Sequence, residues 1–149
     1  MIQVLDAVEK LEEFGVRSEI WSATSYGELR RDGLEVDRWN RLNPDKPAKQ
    51  CYIESQLGNS KTPIIAVSDN MAAVPDMVRK WMPENYEVLG TDGFGRSDTR
   101  EALRRFFEID GVAVTLAALS QLVRKGDIDA KVYQKAVSYT HLRAHETPV

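Results

Sequence analysis

The sequence has 149 residues, 42% of them hydrophobic and 29% charged, which is enough apolar material for one domain with one core. Its 20 Lys and Arg residues against 23 Asp and Glu residues give a formal net charge of −3, so no basic excess favours nucleic acid or an anionic membrane as a partner. No apolar run approaches the roughly 20 residues of a membrane helix, the N-terminal residues lack the order of a secretory signal, and the single Cys51 excludes an internal disulfide; we therefore expect a cytoplasmic protein.

The first third of the chain predicts a helix, a strand and a second helix. Apolar residues 4–11 recur at helical spacing, and Gly15 suits the left-handed turn that ends a helix. Residues 16–23 form a short extended-looking run, which predicts a strand. Ser25 and Glu28 have the spacing of a capping box, so the next helix is expected to begin there.

The middle of the chain predicts short helices and then a buried strand. Residues 29–60 are charged and interrupted by glycines and prolines, Gly33 among them, which favours short helices joined by loops. Residues 63–67 are apolar and β-branched, as expected of a strand covered on both faces. Ser68 and Asp69 then offer a helix N-cap.

A helix containing Pro75 and ending before Pro83 is expected next, followed by a strand at residues 86–89. Asp98 has capping-box spacing to Glu101, so a helix is expected to begin there. The side chains predicted to face inward from it are those of Ala102, Leu103, Phe106 and Phe107.

Two helices are predicted at the end of the chain. Residues 112–123 are apolar nearly all round, which predicts a buried helix capped by Gly126. Asp129 is placed to cap a last helix, with Ile128 and Tyr133 at the positions of a hydrophobic staple. Short buried strands alternating with helices indicate an α/β fold with a largely parallel sheet and helices on both faces, although only three strands are convincing.

The glycine-rich residues 90–97, read as Gly-Thr-Asp-Gly-Phe-Gly-Arg-Ser, lie between a predicted strand and a helix, where open α/β sheets place ligands. Their spacing meets neither the dinucleotide nor the phosphate-loop motif. Arg96 and Arg100 beside a helix start are suited to holding a carboxylate or phosphate. The favoured interpretation is a tight turn in which Asp92 and Ser97 bond the local backbone and Arg96 bridges to a neighbouring surface.

The sequence gives little indication of a metal site or of a hydrolytic triad. His141 and His145 are four residues apart, with Glu146 adjacent, but no third metal ligand and no nucleophile elbow accompany them. The sequence therefore favours neither a metal site nor a hydrolytic triad. The three tryptophans are predicted to be core or interface anchors; they are Trp21, Trp39 and Trp81.

Three ordered segments resemble the C-terminal domain of the homodimeric bacterial pyruvate dehydrogenase decarboxylating components, a family of the transketolase-like superfamily. Residues 15–29 read Gly-Val-Arg-Ser-Glu-Ile-Trp-Ser-Ala-Thr-Ser-Tyr-Gly-Glu-Leu, residues 37–44 read Asp-Arg-Trp-Asn-Arg-Leu-Asn-Pro, and the third segment is 90–98. The resemblance covers residues 1–137, which we expect to form one transketolase-like domain. Residues 138–149 depart from it, and we expect them to be a non-native appended tail.

The resemblance implies a three-layer α/β/α fold around a five-stranded mixed sheet, truncated at its N-terminal edge because the first two strands would precede residue 1. It also implies decarboxylation of pyruvate on thiamine diphosphate with Mg²⁺, reductive acetylation of a lipoyl group on a dihydrolipoyl acetyltransferase partner, and a homodimer. The cofactor sites lie in the family's other domains, and the thiamine motif, a Gly-Asp-Gly with paired asparagines further on, is absent from this sequence.

No catalytic, cofactor-binding or metal-binding residue is therefore assigned, and the chain alone is expected to be inactive and structural. The residues that match the family motif are assigned to domain packing or to the subunit interface; they are Asp92, Phe94, Gly95, Arg96, Ser97 and Arg100. Two alternatives remain: a free-standing anion-binding or regulatory module that uses residues 90–97, and a purely structural interaction domain that dimerises through its tryptophan-bearing surface.

Overall fold

The computed structural model describes the backbone of residues 1–144 and the side chains of residues 1–138. The predicted histidine pair, His141 and His145, lies outside the described side chains, as do Glu146 and all but the first residue of the predicted appended tail. The helix that crosses residue 138 is continuous, and the domain boundary at residue 137 stays a prediction.

Helices surround a small sheet. In chain order the elements are α1 (Ile2–Glu13), α2 (Tyr26–Leu42), α3 (Tyr52–Leu57), β1 (Ile64–Val67), α4 (Ala73–Asp76), a 3₁₀ helix (Arg79–Trp81), β2 (Tyr86–Leu89), α5 (Arg100–Phe106), α6 (Gly111–Lys125) and α7 (Ala130–Ala144).

The sheet of the described residues consists of two parallel strands, with Ile64 opposite Tyr86 and Val67 opposite Leu89. The α/β class and the strands predicted near residues 63–67 and 86–89 are confirmed. Both strands are short apolar runs, and the connection between them contains α4, as a parallel pair requires.

The strand predicted at residues 16–23 is wrong, because this segment is irregular and unpaired. A strand needs a neighbour to receive its backbone hydrogen bonds, and β1 and β2 bond only to each other. Within the described residues, the amide of Val16 donates to Leu11 at 2.9 Å, which closes the turn after α1 rather than starting a ladder.

One continuous helix replaces the first of the short helices predicted for residues 29–60. Ser25 caps α2 as expected, its hydroxyl accepting from the Glu28 amide at 3.2 Å. Gly33 does not break the helix: it is buried, and a Cβ placed there would lie 2.5 Å from the indole ring of Trp81. The glycine therefore allows a close helix-to-ring contact, and only α3 is short.

Two predicted caps are displaced. α4 begins at Ala73 instead of following Ser68 and Asp69, and the Ser68 hydroxyl accepts from the Asn70 amide at 3.0 Å within a turn. Thr99, not Asp98, caps α5. Short polar side chains near a helix start can bond several backbone amides, and local pattern does not decide which residue becomes the cap.

The last two helices agree with their predicted signals. Asp110 caps α6 by accepting from the Ala113 amide at 2.9 Å, and Gly126 ends it in the left-handed conformation with φ 83°. Asp129 precedes α7 and accepts from the Lys131 amide at 2.8 Å.

The core has two parts. The first joins α2, α3 and the sheet, and its buried members are Cys51, Ile53, Ala66, Val78, Trp81 and Tyr86. The second joins α1, α6 and α7 through Leu11, Leu119 and Ala136, with Ile128 and Tyr133 packed against it. α1 lies directly on α6, and the Gly111 amide donates to Gln3 Oε1 at 2.9 Å.

By length and composition alone, the helical stretch Arg100–Lys125 would pass as a membrane span. Residues 107–110 divide it into α5 and α6, and α6 buries Val114 and Leu119 inside the protein. These are the properties of a core helix, so the stretch does not indicate a membrane location.

Aromatic side chains follow the predictions only in part. Trp81 is buried and Trp39 is half-buried, with Lys49 Nζ 3.9 Å from its ring centroid. Trp21 is 52% exposed. The inward orientation predicted for Phe106 is wrong, because this ring is 56% exposed and meets Phe107 edge-on at 5.1 Å.

Candidate functional site

The glycine-rich loop, residues 90–97, leaves the carboxyl end of β2 and closes onto the loop that follows β1. Gly90 is where the two backbones meet, since a Cβ there would lie 2.5 Å from the amide nitrogen of Ala72. The Thr91 amide donates to the Asn70 carbonyl at 2.9 Å, and its hydroxyl donates to the Asp69 carbonyl at 3.0 Å. The two loops therefore form one bonded unit at the sheet edge.

Asp92 extends this unit. Its Oδ1 accepts from the Ala72 amide at 3.0 Å, across 20 residues of sequence. The expectation that Asp92 and Ser97 bond the local backbone is wrong: the partner of Asp92 lies in the other loop, and Ser97 makes no hydrogen bond within the described residues. Asp92 thus joins the two loops.

The tip of the glycine-rich loop presents an aromatic ring to solvent. Gly93 has φ 111°, a conformation that favours glycine, and Phe94 after it is 97% exposed. No atom lies within 4 Å of a Cβ built at Gly95. The loop bends at Gly93 and Phe94 without a turn hydrogen bond among the described residues, and the Phe94 ring stands away from the body of the domain.

Arg96 and Arg100 lie between the tip and α5. The Arg96 guanidinium carbon is 4.5 Å from the centroid of the Phe106 ring, so the expected bridge to a neighbouring surface is a cation–π contact with α5. Arg100 is exposed and is the first residue of α5. Phe94, Arg96 and Phe106 form an exposed aromatic and basic patch, called here the loop patch.

The donors and acceptors around the loop do not fit a metal–diphosphate group. The Thr91 hydroxyl and Asp92 Oδ1 are engaged in holding the two loops together. Among the described side chains, no three His, Cys, Asp or Glu residues converge as metal ligands. The described residues of the loop therefore offer no ready set of ligands for thiamine diphosphate with Mg²⁺.

A groove that the sequence did not reveal has a volume of about 450 Å³. Its lining comes from β1, α2, α3 and the unpaired segment from Trp21 to Ser25. The only sequence feature that points to this groove is the extended-looking run at residues 16–23. The strand predicted there has no pairing partner among the described residues.

Two tyrosines lie side by side at the base of this groove. The Tyr86 hydroxyl donates to the Pro75 carbonyl at 2.8 Å and is itself buried. Burial raises the pKa of Tyr86, and burial also raises the pKa of Tyr26. Both phenols stay protonated at neutral pH, so they act here as packed hydrogen-bonding groups.

With the sheet-edge loops and the groove described, the fold can be compared with known domains. Residues 1–110 match the family model of the transketolase-like TK C-terminal domain. The chain belongs to this family. The matching stretch contains both strands, the glycine-rich loop, α5 and the groove.

Comparison with individual curated proteins gives a narrower resemblance than the family model does. The chain is 50% identical over 127 residues, 85% of its length, to the pyruvate dehydrogenase E1 component of Pseudomonas aeruginosa. It is 44% identical over 137 residues, 91% of its length, to that of Mycolicibacterium smegmatis. To that of Escherichia coli it is 42% identical over 143 residues, 95% of its length.

These matches lie in the C-terminal region of the relatives, and the chain spans only 14–16% of their length. This chain is thus homologous to one part of an enzyme, its C-terminal region. The resemblance inferred from residues 15–29, 37–44 and 90–98 is confirmed.

Proposed function

We propose that this chain is the C-terminal domain of a cytoplasmic pyruvate dehydrogenase component that decarboxylates pyruvate on thiamine diphosphate and reductively acetylates lipoyl groups of a dihydrolipoyl acetyltransferase. The observation that carries the proposal is the 50% identity over 127 residues to a pyruvate dehydrogenase E1 component. The remaining domains of the same enzyme are its first partners.

The domain's part in that enzyme is structural: it supports the homodimer and does no chemistry alone. The loop patch supports this role. Its Phe94 side chain is 97% exposed and has no partner within the described chain, although the loop that carries it is bonded to the loop after β1. Exposed aromatic and Arg side chains are typical anchors of protein interfaces. Asp92 holds the loop against its neighbour, and Phe94 and Arg96 provide its contact surface.

Thiamine diphosphate and Mg²⁺ belong to other domains of the proposed enzyme. The polar side chains of the glycine-rich loop that could serve as oxygen ligands, Thr91 and Asp92, bond to the loop after β1. α5 has only seven residues, and Arg96 covers the Phe106 ring, which leaves no prepared anion site at its start.

A chimaera tests the function. The C-terminal region of the Pseudomonas aeruginosa relative is replaced by this chain, and pyruvate-dependent ferricyanide reduction is measured with thiamine diphosphate and Mg²⁺. We expect activity in the chimaera and none in the isolated chain or in the relative truncated before this region. An inactive chimaera that is folded and dimeric would contradict the proposal.

The loop patch is tested in the same chimaera with Phe94→Ala. Because Phe94 is exposed, its loss is expected to leave folding intact but to weaken the dimer at least about tenfold, as truncation of an interface anchor does, measured by sedimentation. Leu42→Ala, at another exposed apolar residue, is the matched control and is expected to have no effect. Equal dimer affinities in the two variants would remove the patch from the interface.

Calorimetry of the folded isolated chain with phosphates, nucleotides and small carboxylates separates this proposal from an anion-binding module. We expect no heat of binding. Binding that is lost in Arg96→Ala would favour the module instead.

A further inference from the structure

The tip of the glycine-rich loop is tied at both ends and free between them. At one end, Thr91 and Asp92 bond to the loop that follows β1. At the other end, Thr99 caps α5, and its hydroxyl accepts from the Ala102 amide at 3.3 Å. Residues 93–98, which lie between these two anchors, are called here the strap.

The strap has almost no bonds of its own. Within the described residues, its backbone groups form no hydrogen bond and its side chains form no ion pair. Asp98 accepts one bond, from the adjacent Thr99 amide at 2.8 Å. Every residue of the strap is exposed. A segment with an exposed, unbonded backbone opens at little cost in free energy.

Two glycines give the strap its conformational freedom. No atom lies within 4 Å of a Cβ built at Gly93 or at Gly95, so lack of space does not explain either glycine. Gly93 also has φ 111°, a conformation that other residues rarely adopt. Because glycine lacks the Cβ that restricts backbone rotation, the strap can pivot at these two positions.

One side-chain contact holds the middle of the strap. The Arg96 guanidinium carbon lies 4.5 Å from the centroid of the Phe106 ring on α5. Both side chains are exposed, the ring by 56%. A cation–π contact at an exposed site shifts an equilibrium only about two- to fivefold, so it biases the position of the strap without fixing it.

We propose that the contact between Arg96 and Phe106 is a latch, and that the strap alternates between a state latched to α5 and an open state. In the latched state the tip holds Phe94 in one position, and in the open state it does not. The latch thereby sets the fraction of molecules that present Phe94 ready for contact, and the apparent dissociation constant of that contact rises as the fraction falls. The link to the partner subunit rests on the proposed function, whereas the latch does not.

Trypsin digestion of the isolated chain tests the latch. The protease must bind the Arg96 side chain to cut the bond to Ser97, so Arg96 must first leave the Phe106 ring. When opening is fast compared with cutting, the rate of cutting follows the open fraction. Phe106→Leu stays apolar but has no aromatic face, and should speed this cut about two- to fivefold. Phe106→Tyr keeps the face and should be cut at the wild-type rate.

Cutting after Arg38 is the internal control, because Arg38 lies within α2 and is cut only when that helix unfolds. Dividing the Arg96 rate by the Arg38 rate removes any general loss of stability in a variant. The same ratio in the wild-type chain, Phe106→Leu and Phe106→Tyr would overturn the latch.

NMR relaxation gives a second measurement of the strap. The order parameter of the Gly95 amide should be lower than that of the anchored Asp92 amide, and lower again in Phe106→Leu. Equal order parameters for the two amides in the wild-type chain would contradict an alternating strap.

The chimaera with the Pseudomonas aeruginosa relative tests the link to the dimer. Phe106→Leu should weaken its dimer by up to about fivefold, and Phe106→Tyr should not. An unchanged dimer in a chimaera whose strap is loosened would reject this link. If Phe94→Ala also leaves the dimer unchanged, the proposed interface role of the loop patch fails, even where trypsin confirms the latch.

Discussion

Gly90 is held so closely to the neighbouring loop that any side chain must displace backbone. In Gly90→Ala the Cβ would lie 2.5 Å from the Ala72 amide nitrogen, and the bonds of Thr91 and Asp92 to that loop would be strained. We expect the free energy of unfolding to fall by about 1–3 kcal/mol, measured by urea denaturation. Gly95→Ala, with open space around its Cβ, should change it by less than about 0.5 kcal/mol; equal losses would refute the close contact.

The Tyr26 and Tyr86 phenols predict a loss of stability at alkaline pH. Their folded pKa values lie above the unfolded value of 10.0, so the folded state retains protons that the unfolded state releases. Stability is therefore fully present below about pH 10 and falls as the pH rises further, by at most about 1.4 kcal/mol per pH unit for each phenol. Urea denaturation between pH 8 and 11 measures the slope.

Tyr86→Phe separates the contribution of the Tyr86 hydrogen bond to stability from the contribution of its titration. At neutral pH it should cost about 1–3 kcal/mol, because the buried Pro75 carbonyl loses its donor. Above pH 10 its stability should fall less steeply than that of the wild-type chain. A variant with the full alkaline slope would show that Tyr86 titrates normally in the folded state.

The partner of Asp92 could not be predicted from local sequence. The glycine spacing indicated a turn, because glycine and turn chemistry act over a few residues. The resemblance to the family singled out Phe94, Arg96 and their neighbours. The Ala72 amide is 20 residues away from Asp92, and only the parallel pairing of β1 and β2 brings the two loops together.

α2 offers a matched pair of glycines. Gly33→Ala should lower the free energy of unfolding by about 1–3 kcal/mol, because its Cβ meets the buried Trp81 ring at 2.5 Å. Gly27→Ala, whose Cβ would meet only Ser25 Oγ at 3.8 Å, should raise it by about 0.5–1 kcal/mol through helix propensity. Thermal unfolding followed by circular dichroism measures both, and a stabilising Gly33→Ala would disprove the tight contact.

Helices with their own end signals were predictable, whereas a predicted strand was right only where a neighbouring strand pairs with it. Ser25, Gly126 and Asp129 mark helix ends through bonds within a few residues. β1 and β2 were predicted from short apolar runs. Residues 16–23 carry a similar pattern but have no adjacent strand, and a strand exists only when paired.

The two parts of the core are linked, which predicts that they unfold together. α6 packs against β1, and Gln121 Nε2 donates to Glu87 Oε2 at 2.7 Å. Leu119→Ala, in the part that contains no tryptophan, should cost about 2–5 kcal/mol and shift the tryptophan fluorescence transition with it. Leu42→Ala, at an exposed site, should shift it little. An unshifted fluorescence midpoint would mean that the two parts unfold independently.

The contact between α1 and α6 also bears on how the chain is made. Gln3 and Gly111, which bond in the folded domain, are separated by 108 residues. At a synthesis rate of about 5–20 residues per second, α1 leaves the ribosome roughly 5–20 s before the surface it packs on exists. The apolar face of α1 stays uncovered by α6 for that interval, during which chaperones that bind nascent chains can reach it.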